Sequence, residues 1–479
     1  MNYGQKIGQI RRFLNRTNLA SFLECLIIQH RLLLRSLVIK KTTNKTEDQM
    51  KRFLNISRGL VLTLIIGQLV IAQPTTGNSP KVDNTVFGRI QMFGFAQNLK
   101  DYAQSNNRLY LFLKQARIGT EGTYDNLKYN AQIAFGGEDQ LATVGLSLLD
   151  FSVDIPLNDT YGIMVGQFKV PYSREAITDG GNILFADRSV QYGGFKLGRD
   201  VGLMLHGSSD MYTGMIGIFT GGGRDVPIRY IPQNLGLPMI AARIGINNGL
   251  DKSFVQLEQT TYTQHKGYAA YINAVYTKDS EVGHSTALNV KMIDKSLLLD
   301  ANWNPYISQA PAARDKGTLW QVGGDAAFRQ AFNDTWTIAG EAELNYGGFK
   351  NKYGKIELFG GRAQASLYTQ PVEFGIRYSF LRPDNNFGYN SSGTVYSIID
   401  KKLIHELTLG TSYYLNHDNL KLTLDIPVMF NAPVLNEPGI GAYLLTEQPD
   451  QVTYVAAPKL APVDRQTVVE VRAQLQFVF

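Results

Sequence analysis

The chain ends in Val468 to Phe479 (VVEVRAQLQFVF), a segment with two chemically opposite faces when extended. Val469, Val471, Ala473, Leu475, Phe477 and Phe479 share one face, and Glu470, Arg472, Gln474 and Gln476 share the other. Successive strand side chains point to opposite sides, so this period of two asks for two different solvents. The pattern recurs. From Trp336, apolar Ile338, Ala342, Leu344 and Tyr346 alternate with Glu341, Glu343 and Asn345. From Val372, Phe374, Ile376, Tyr378 and Phe380 alternate with Glu373, Arg377 and Ser379, and from Leu420 a third run extends to Phe430. Alternating segments of about ten residues fit tilted membrane strands, with one face to lipid and one to water. Strands of soluble sandwiches are usually nearer five or six residues. The expected fold class is all-β, a transmembrane antiparallel β-barrel.

Further strands are expected at Phe87 to Gln97, Leu109 to Thr120, Lys128 to Phe135, Thr143 to Ile155, Tyr161 to Val170 and Arg199 to His206. Others fit Met211 to Thr220, Ile240 to Ile246, Phe254 to Gln264, Tyr268 to Tyr276, Leu319 to Gln330, Ile356 to Leu367 and Leu403 to Leu415. The count comes to about 16, and single-chain bacterial barrels take even numbers. No internal repeat and no second domain stand out.

The start of the chain reads differently. Met50, Lys51, Arg52 and Arg58 precede the apolar run Gly59 to Ile71 (GLVLTLIIGQLVI), and Val70-Ile71-Ala72 ends in small or modest side chains. This is the form of an export signal over residues 50–72, cleaved before Gln73. Residues 1–49 make a leader of doubtful status, read as a mis-called upstream start, and residues 73–479 make the barrel. The chain's net charge of +6 belongs to this leader: residues 1–72 hold 12 Lys/Arg and three acids, leaving 35 basic and 38 acidic side chains, near −3. Nucleic acid is thereby excluded as a partner. The single cysteine, Cys25, lies in the leader, so residues 73–479 have no disulfide, thiolate ligand or Cys nucleophile.

One connection stands apart. Between the strands at Tyr161 and Arg199, Pro171 to Gly198 holds Gly180-Gly181, Gly193-Gly194, Arg174, Glu175, Asp179, Asp187, Arg188 and Lys196. Connections this long within a domain are usually functional or disordered, and Phe185, Tyr192 and Phe195 argue against disorder. It is expected to fold inward and set what passes.

The final Phe479 resembles the C-terminal aromatic signature of outer-membrane barrels that the barrel insertion machinery of Gram-negative bacteria reads. LFLKQARIGTEG (Leu111 to Gly122), VGQFKVPYSREAIT (Val165 to Thr178), FADRS (Phe185 to Ser189) and GRDVGLMLHG (Gly198 to Gly207) resemble the phosphate-selective porins O and P. The resemblance is densest over residues 109–207. It implies a 16-stranded homotrimer of the bacterial outer membrane, surrounded by its lipid, whose third outer loop is the constriction.

Selectivity in such a pore is charge at close quarters. The expected constriction residues are Lys169, Arg174, Arg188, Lys196 and Arg199. Arg89, Arg117, Glu341, Glu343, Arg362 and Arg377 are expected on the pore wall. A basic strip facing an acidic one would give passive diffusion of small hydrophilic solutes with mild preference for inorganic anions, phosphate among them, since guanidinium groups bind oxyanions bidentately. The opposing expectation is that these arginines pair with Glu175, Asp179, Asp187 and Asp200 and brace the loop. No catalytic or metal-binding spacing is found among the histidines, and no cofactor is expected. An outer-membrane enzyme barrel and a non-conducting structural or assembly barrel are the alternatives.

Overall fold

The computed structural model describes residues 81–98, 108–137, 146–221, 223, 237–251, 266–280, 317–333, 335–351, 354–385, 403–435 and 463–479. The leader and export signal expected over residues 1–72 and the strand expected at Phe254 to Gln264 lie outside these residues.

Sixteen strands alternate up and down: β1 (Val82–Gln97), β2 (Arg108–Tyr124), β3 (Leu127–Gly137), β4 (Ser147–Pro156), β5 (Tyr161–Lys169), β6 (Arg199–Ser208), β7 (Tyr212–Phe219) and β8 (Leu237–Asn247). They continue with β9 (Gly267–Ser280), β10 (Gly317–Ala331), β11 (Trp336–Asn351), β12 (Gly354–Thr369), β13 (Val372–Asn385), β14 (Ile404–Asn416), β15 (Leu420–Leu435) and β16 (Val463–Val478). Each is antiparallel to its chain neighbours, and β1 pairs with β16 to close the barrel. Closure matters because an open edge would leave backbone donors and acceptors unpaired in lipid. At the seam Arg89 faces Val478 and Gln97 faces Glu470. Phe479 extends it, its N–H donating to Gly88 O (3.1 Å) and its carbonyl accepting from Gly88 N (2.8 Å).

The two faces of β16 show why this sequence makes a membrane wall. Val471 is 53% exposed and Phe477 48%, whereas Arg472 is 3% exposed and Gln476 0%. Apolar side chains point out and polar ones in, the reverse of a soluble core. The expected parity holds for Glu341, Glu343, Glu373, Arg362, Arg377, Lys421 and Asp425, all buried on the inner face.

Several strand pairs depart from strict alternation, and one such shift bears on the site. The β1–β2 register shifts between Gln91, which faces Gln115, and Met92, which faces Leu113. Lys114 is the extra residue of this bulge, and Lys114, Gln115 and Arg117 are all buried. Bulges re-aim side chains in this way.

Turns at one end of the barrel are short: residues 125–126, 157–160, 209–211 and 370–371. The β5–β6 connection, residues 170–198, leaves from the other end. It carries two single-turn helices, α1 (Arg174–Ile177) and α2 (Tyr192–Phe195).

Candidate functional site

The β5–β6 connection is tied to inner-face side chains far apart in the chain. Gln91 on β1 donates to Gly180 O (3.1 Å), Lys114 on β2 to Ala186 O (2.7 Å) and Arg377 on β13 to Asp187 O (2.9 Å). Lys421 on β15 donates to Gly181 O and Ile183 O (3.1 Å each), and Gln476 on β16 to Gly181 O (3.0 Å). Asp425 accepts from Ala186 N at 2.9 Å while holding Arg472 at 2.6 and 3.0 Å. Backbone groups that cannot join a ladder are satisfied by the wall.

Aromatic residues add a second kind of attachment. A Cβ at Gly410 would lie 2.8 Å from Phe185 Cδ1, one at Gly375 3.0 Å from Phe185 Cζ, and one at Gly360 2.8 Å from Phe195 Cε2. These glycines occupy inner-face positions of β14, β13 and β12, and form shallow sockets that any side chain would fill. Phe185 and Phe195 are 1% and 0% exposed, and the Arg377 guanidinium lies 4.6 Å from the Phe185 ring centre.

Two clusters of charged groups stand out besides the Lys114–Asp187, Arg377–Glu406 and Arg472–Asp425 pairs. In the acid-rich one, Ser173 caps α1 by accepting from Ala176 N (3.3 Å), which orients Arg174. Arg174 makes a fork to Asp251 (3.0 and 2.7 Å), donates to Glu341 at 3.0 Å and lies 3.7 Å from Asp325. Arg362 donates to Glu341 (2.8 Å) and lies 3.4 Å from Glu343 and 3.6 Å from Glu175. Arg243 forks onto Asp325. Five carboxylates thus share three guanidinium groups. The Arg174 and Arg362 side chains are 0% exposed, so water does not reach them. Burial would raise the Glu175 pKa, but Arg362 and Arg377, with the Ser189 bonds, hold it below the usual carboxylate range.

The basic cluster is wetter. Arg89, Arg117 (3.7 Å) and Lys169 (4.0 Å) converge on Asp179, whose side chain is 22% exposed. Lys169 donates to Ile177 O (2.8 Å), and Arg188 to Thr178 O (2.7 Å) and Glu175 O. Arg188 and Lys196 lie 4.6 and 5.3 Å from the Tyr192 ring centre, and Lys196 is exposed. Arg199 forks onto Asp150 at 2.9 and 2.8 Å. Burial would raise the Asp179 pKa, yet Arg89, Lys169 and Arg117 hold it well below the usual range.

Most of the expected residues therefore meet around this connection, in partnerships the sequence does not disclose. Arg174, expected at the pore, is enclosed because carboxylates from three separate elements surround it. Its partners are none of the four acids expected to brace the loop: Asp179 takes Arg89, Asp187 takes Lys114 (2.7 Å), and Asp200 accepts from Thr220 and Gly221. Arg377 is tied to Glu406 (3.1 and 2.8 Å). His405 is on the outward row of β14 and bonds the Tyr378 hydroxyl at 2.6 Å. Sequence reasoning missed Lys114, Arg243, Asp251, Asp325 and the glycine sockets. Arg243 and Asp325 do sit at inward parity, a signal that was readable. Among the described residues no group of His, Cys, Asp and Glu side chains could hold a metal ion.

Residues 85–304 match the family described as "Phosphate-selective porin O and P". No curated protein matches. Solved structures that the chain resembles include an anion-selective porin from Comamonas acidovorans, at 13% identity and TM-score 0.49, covering 83% of this chain and all of that one. The outer membrane channel DcaP of Acinetobacter baumannii matches at 11% identity and TM-score 0.45, over 85% of this chain and all of its own. OprB of Pseudomonas putida matches at 9% and 0.44, over 83% and 94%.

Proposed function

We propose that this chain, a porin of the bacterial outer membrane whose residues 85–304 carry the phosphate-selective porin O and P family pattern, passes small hydrophilic solutes with a mild preference for anions. In this reading the β5–β6 connection lies in the lumen, since its partners are inner-face side chains from β1 and β2 round to β11–β16, and it is the constriction. Lys169, Arg188, Lys196 and Arg199 flank the path, with Arg89 and Arg117 on the adjoining wall. Arg174 is the brace of the loop, as are Arg362, Arg377, Glu341 and Glu343. The sequence supports three companion proposals: export by residues 50–72, insertion read from Phe479, and a homotrimer.

One observation carries the anion preference: water reaches the basic cluster more than the acid-rich one. Side-chain exposure is 13% at Arg89, 16% at Lys169, 11% at Arg199 and 5% at Arg117, against 0% at Arg174, Arg362, Asp325 and Glu343, 2% at Asp251 and Glu175 and 6% at Glu341. A permeating ion meets Arg89, Arg117, Lys169, Arg188, Lys196 and Arg199, with Asp150, Asp179 and the 28% exposed Asp187 among them. The surplus carboxylates opposite are already bonded to arginine. Exposed charge sets the field an ion feels, and enclosed charge mostly sets shape.

The test is the reversal potential of single channels in a KCl gradient. The parent is expected to favour chloride, and Arg188→Ala with Lys196→Ala to shift the potential toward potassium. Arg174→Met is expected to leave the potential in place while making the open current noisier. A cation-selective parent, or an equal shift from Arg174→Met, would overturn the reading. A barrel that passes no current would favour a structural role.

A further inference from the structure

The β8–β9 connection breaks the rule that its end of the barrel follows. β8 ends beside the short β6–β7 turn, since Asn247 N donates to Met211 O at 2.7 Å. Short turns mark the periplasmic end of such barrels. Here, however, residues 248–266 intervene before β9.

Its described residues do not lead straight away from the barrel. Asn248 N donates to Tyr268 O at 2.8 Å. Asn247 and Asp251 close a tight loop, with Asn247 Nδ2 donating to Asp251 O (2.8 Å) and Asp251 N donating to Asn247 Oδ1 (3.1 Å). Gly249 between them has φ +72°, which glycine adopts at no steric cost. Leu250 is then seated on Ala269, Tyr271 and Ala327, inner-face residues of β9 and β10. A Cβ at Gly267 would stand 2.7 Å from Asn248 O and from Leu250 N, so the strand start is kept bare where the segment crosses it. Beyond Leu250, Asp251 makes the two-pronged bond to Arg174 of the β5–β6 connection.

We infer that residues 247–251 are an inner constriction element: a stretch of the periplasmic connection turned back into the lumen, which latches the β5–β6 connection from below through Asp251 and Arg174 and narrows the exit of the pore. The inference rests on the porin reading above. Two independent attachments hold the element, the apolar seat of Leu250 and the enclosed ion pair. An ion leaving the basic cluster toward the periplasm passes this element. Asn248 and Gly249 are its exposed residues. The Arg174–Asp251 fork joins two loops entering from opposite ends, so each limits the movement of the other.

Cysteine chemistry can test this cleanly, because Cys25 is the chain's single cysteine and lies in the leader. Asn248→Cys is made without residues 1–72, and a bulky methanethiosulfonate is added to both sides of a planar bilayer. Modification, confirmed by mass, is expected to produce a stepwise loss of unitary conductance. In a second channel, Asp251→Asn is expected to raise open-channel current noise while leaving the reversal potential unchanged. Full modification with unaltered conductance, or an Asp251→Asn channel as quiet as the parent, overturns the inference. An unmodified parent without conductance refutes the porin reading instead, so the two failures are distinguishable.

Discussion

Adding one methyl group to the wall at Gly410 should unseat a loop that the chain places more than two hundred residues earlier. The new Cβ of Gly410→Ala would lie 2.8 Å from Phe185 Cδ1 and 3.0 Å from Asp425 Cβ. Carbon atoms prefer about 3.5–4.0 Å, so the ring must retreat by close to an ångström. Overpacking of this kind costs about 1–3 kcal/mol. Phe185→Ala, which empties the socket, costs about 3–5 kcal/mol by the measure of buried aromatic truncations. These energies act on docking of the connection before they act on the barrel, because local units open below the global unfolding free energy. A penalty of about 2 kcal/mol shifts the docked-to-undocked ratio about thirtyfold. The assay is open-channel current variance in single-channel records, with both substitutions made singly and together. Gly410→Ala alone is expected to be noisier than the parent, and in the Phe185→Ala background it should add less, since only the 3.0 Å approach to Asp425 Cβ remains. A Gly410→Ala channel as quiet as the parent, or equal increments in both backgrounds, would refute the socket.

Two further predictions follow from groups outside this socket. Asp179 is held well below the usual carboxylate range, against its burial, by Arg89, Lys169 and Arg117; its folded pKa is thus below its unfolded one, and its stabilisation is present above about pH 4 and lost only as pH falls toward the depressed value. Reversal potential and current noise should therefore show no Asp179 step centred near about pH 4, and a change centred in that ordinary carboxylate range that is lost in Asp179→Asn would contradict the pairing. At the seam, deleting Phe479 removes both backbone bonds to Gly88, so assembly yield, read as heat-modifiable mobility on gels, should fall; undiminished yield would show that the seam and the insertion machinery do not need it.

The barrel was legible because membrane strands impose one rule along their whole length. Glu341, Glu343, Arg362 and Arg377 could each be placed on the inner face by parity, and all four are there. Lys114 was not legible, since one inserted residue in β2 resets the parity without leaving a local mark. The partners of Arg174 were not legible for another reason. Its forked partner, Asp251, borders a segment whose alternation suggested a strand, and their pairing depends on two loops meeting inside a closed sheet. The glycine sockets are harder still. Gly360, Gly375 and Gly410 signal by lacking a side chain, and that absence acquires meaning only beside Phe195 and Phe185.

Net charge is a poor guide to such a pore, and the two clusters explain why. Residues 73–479 carry 35 basic and 38 acidic side chains, a balance that would suggest a faintly cation-attracting channel if every charge faced water. Charges removed from water must be paired, because an uncompensated buried ion is expensive. Glu175, Asp251, Asp325, Glu341 and Glu343 meet that demand by sharing Arg174, Arg243 and Arg362 in enclosed contacts. Their surplus negative charge is spent on holding the loop to the wall. In the proposed reading, cations gathered on the wetter side keep fewer acids for company, so the minority sign in the composition becomes the majority sign along the path. A substitution that moves one carboxylate from the enclosed set to the exposed set should therefore alter selectivity more than one that changes the total.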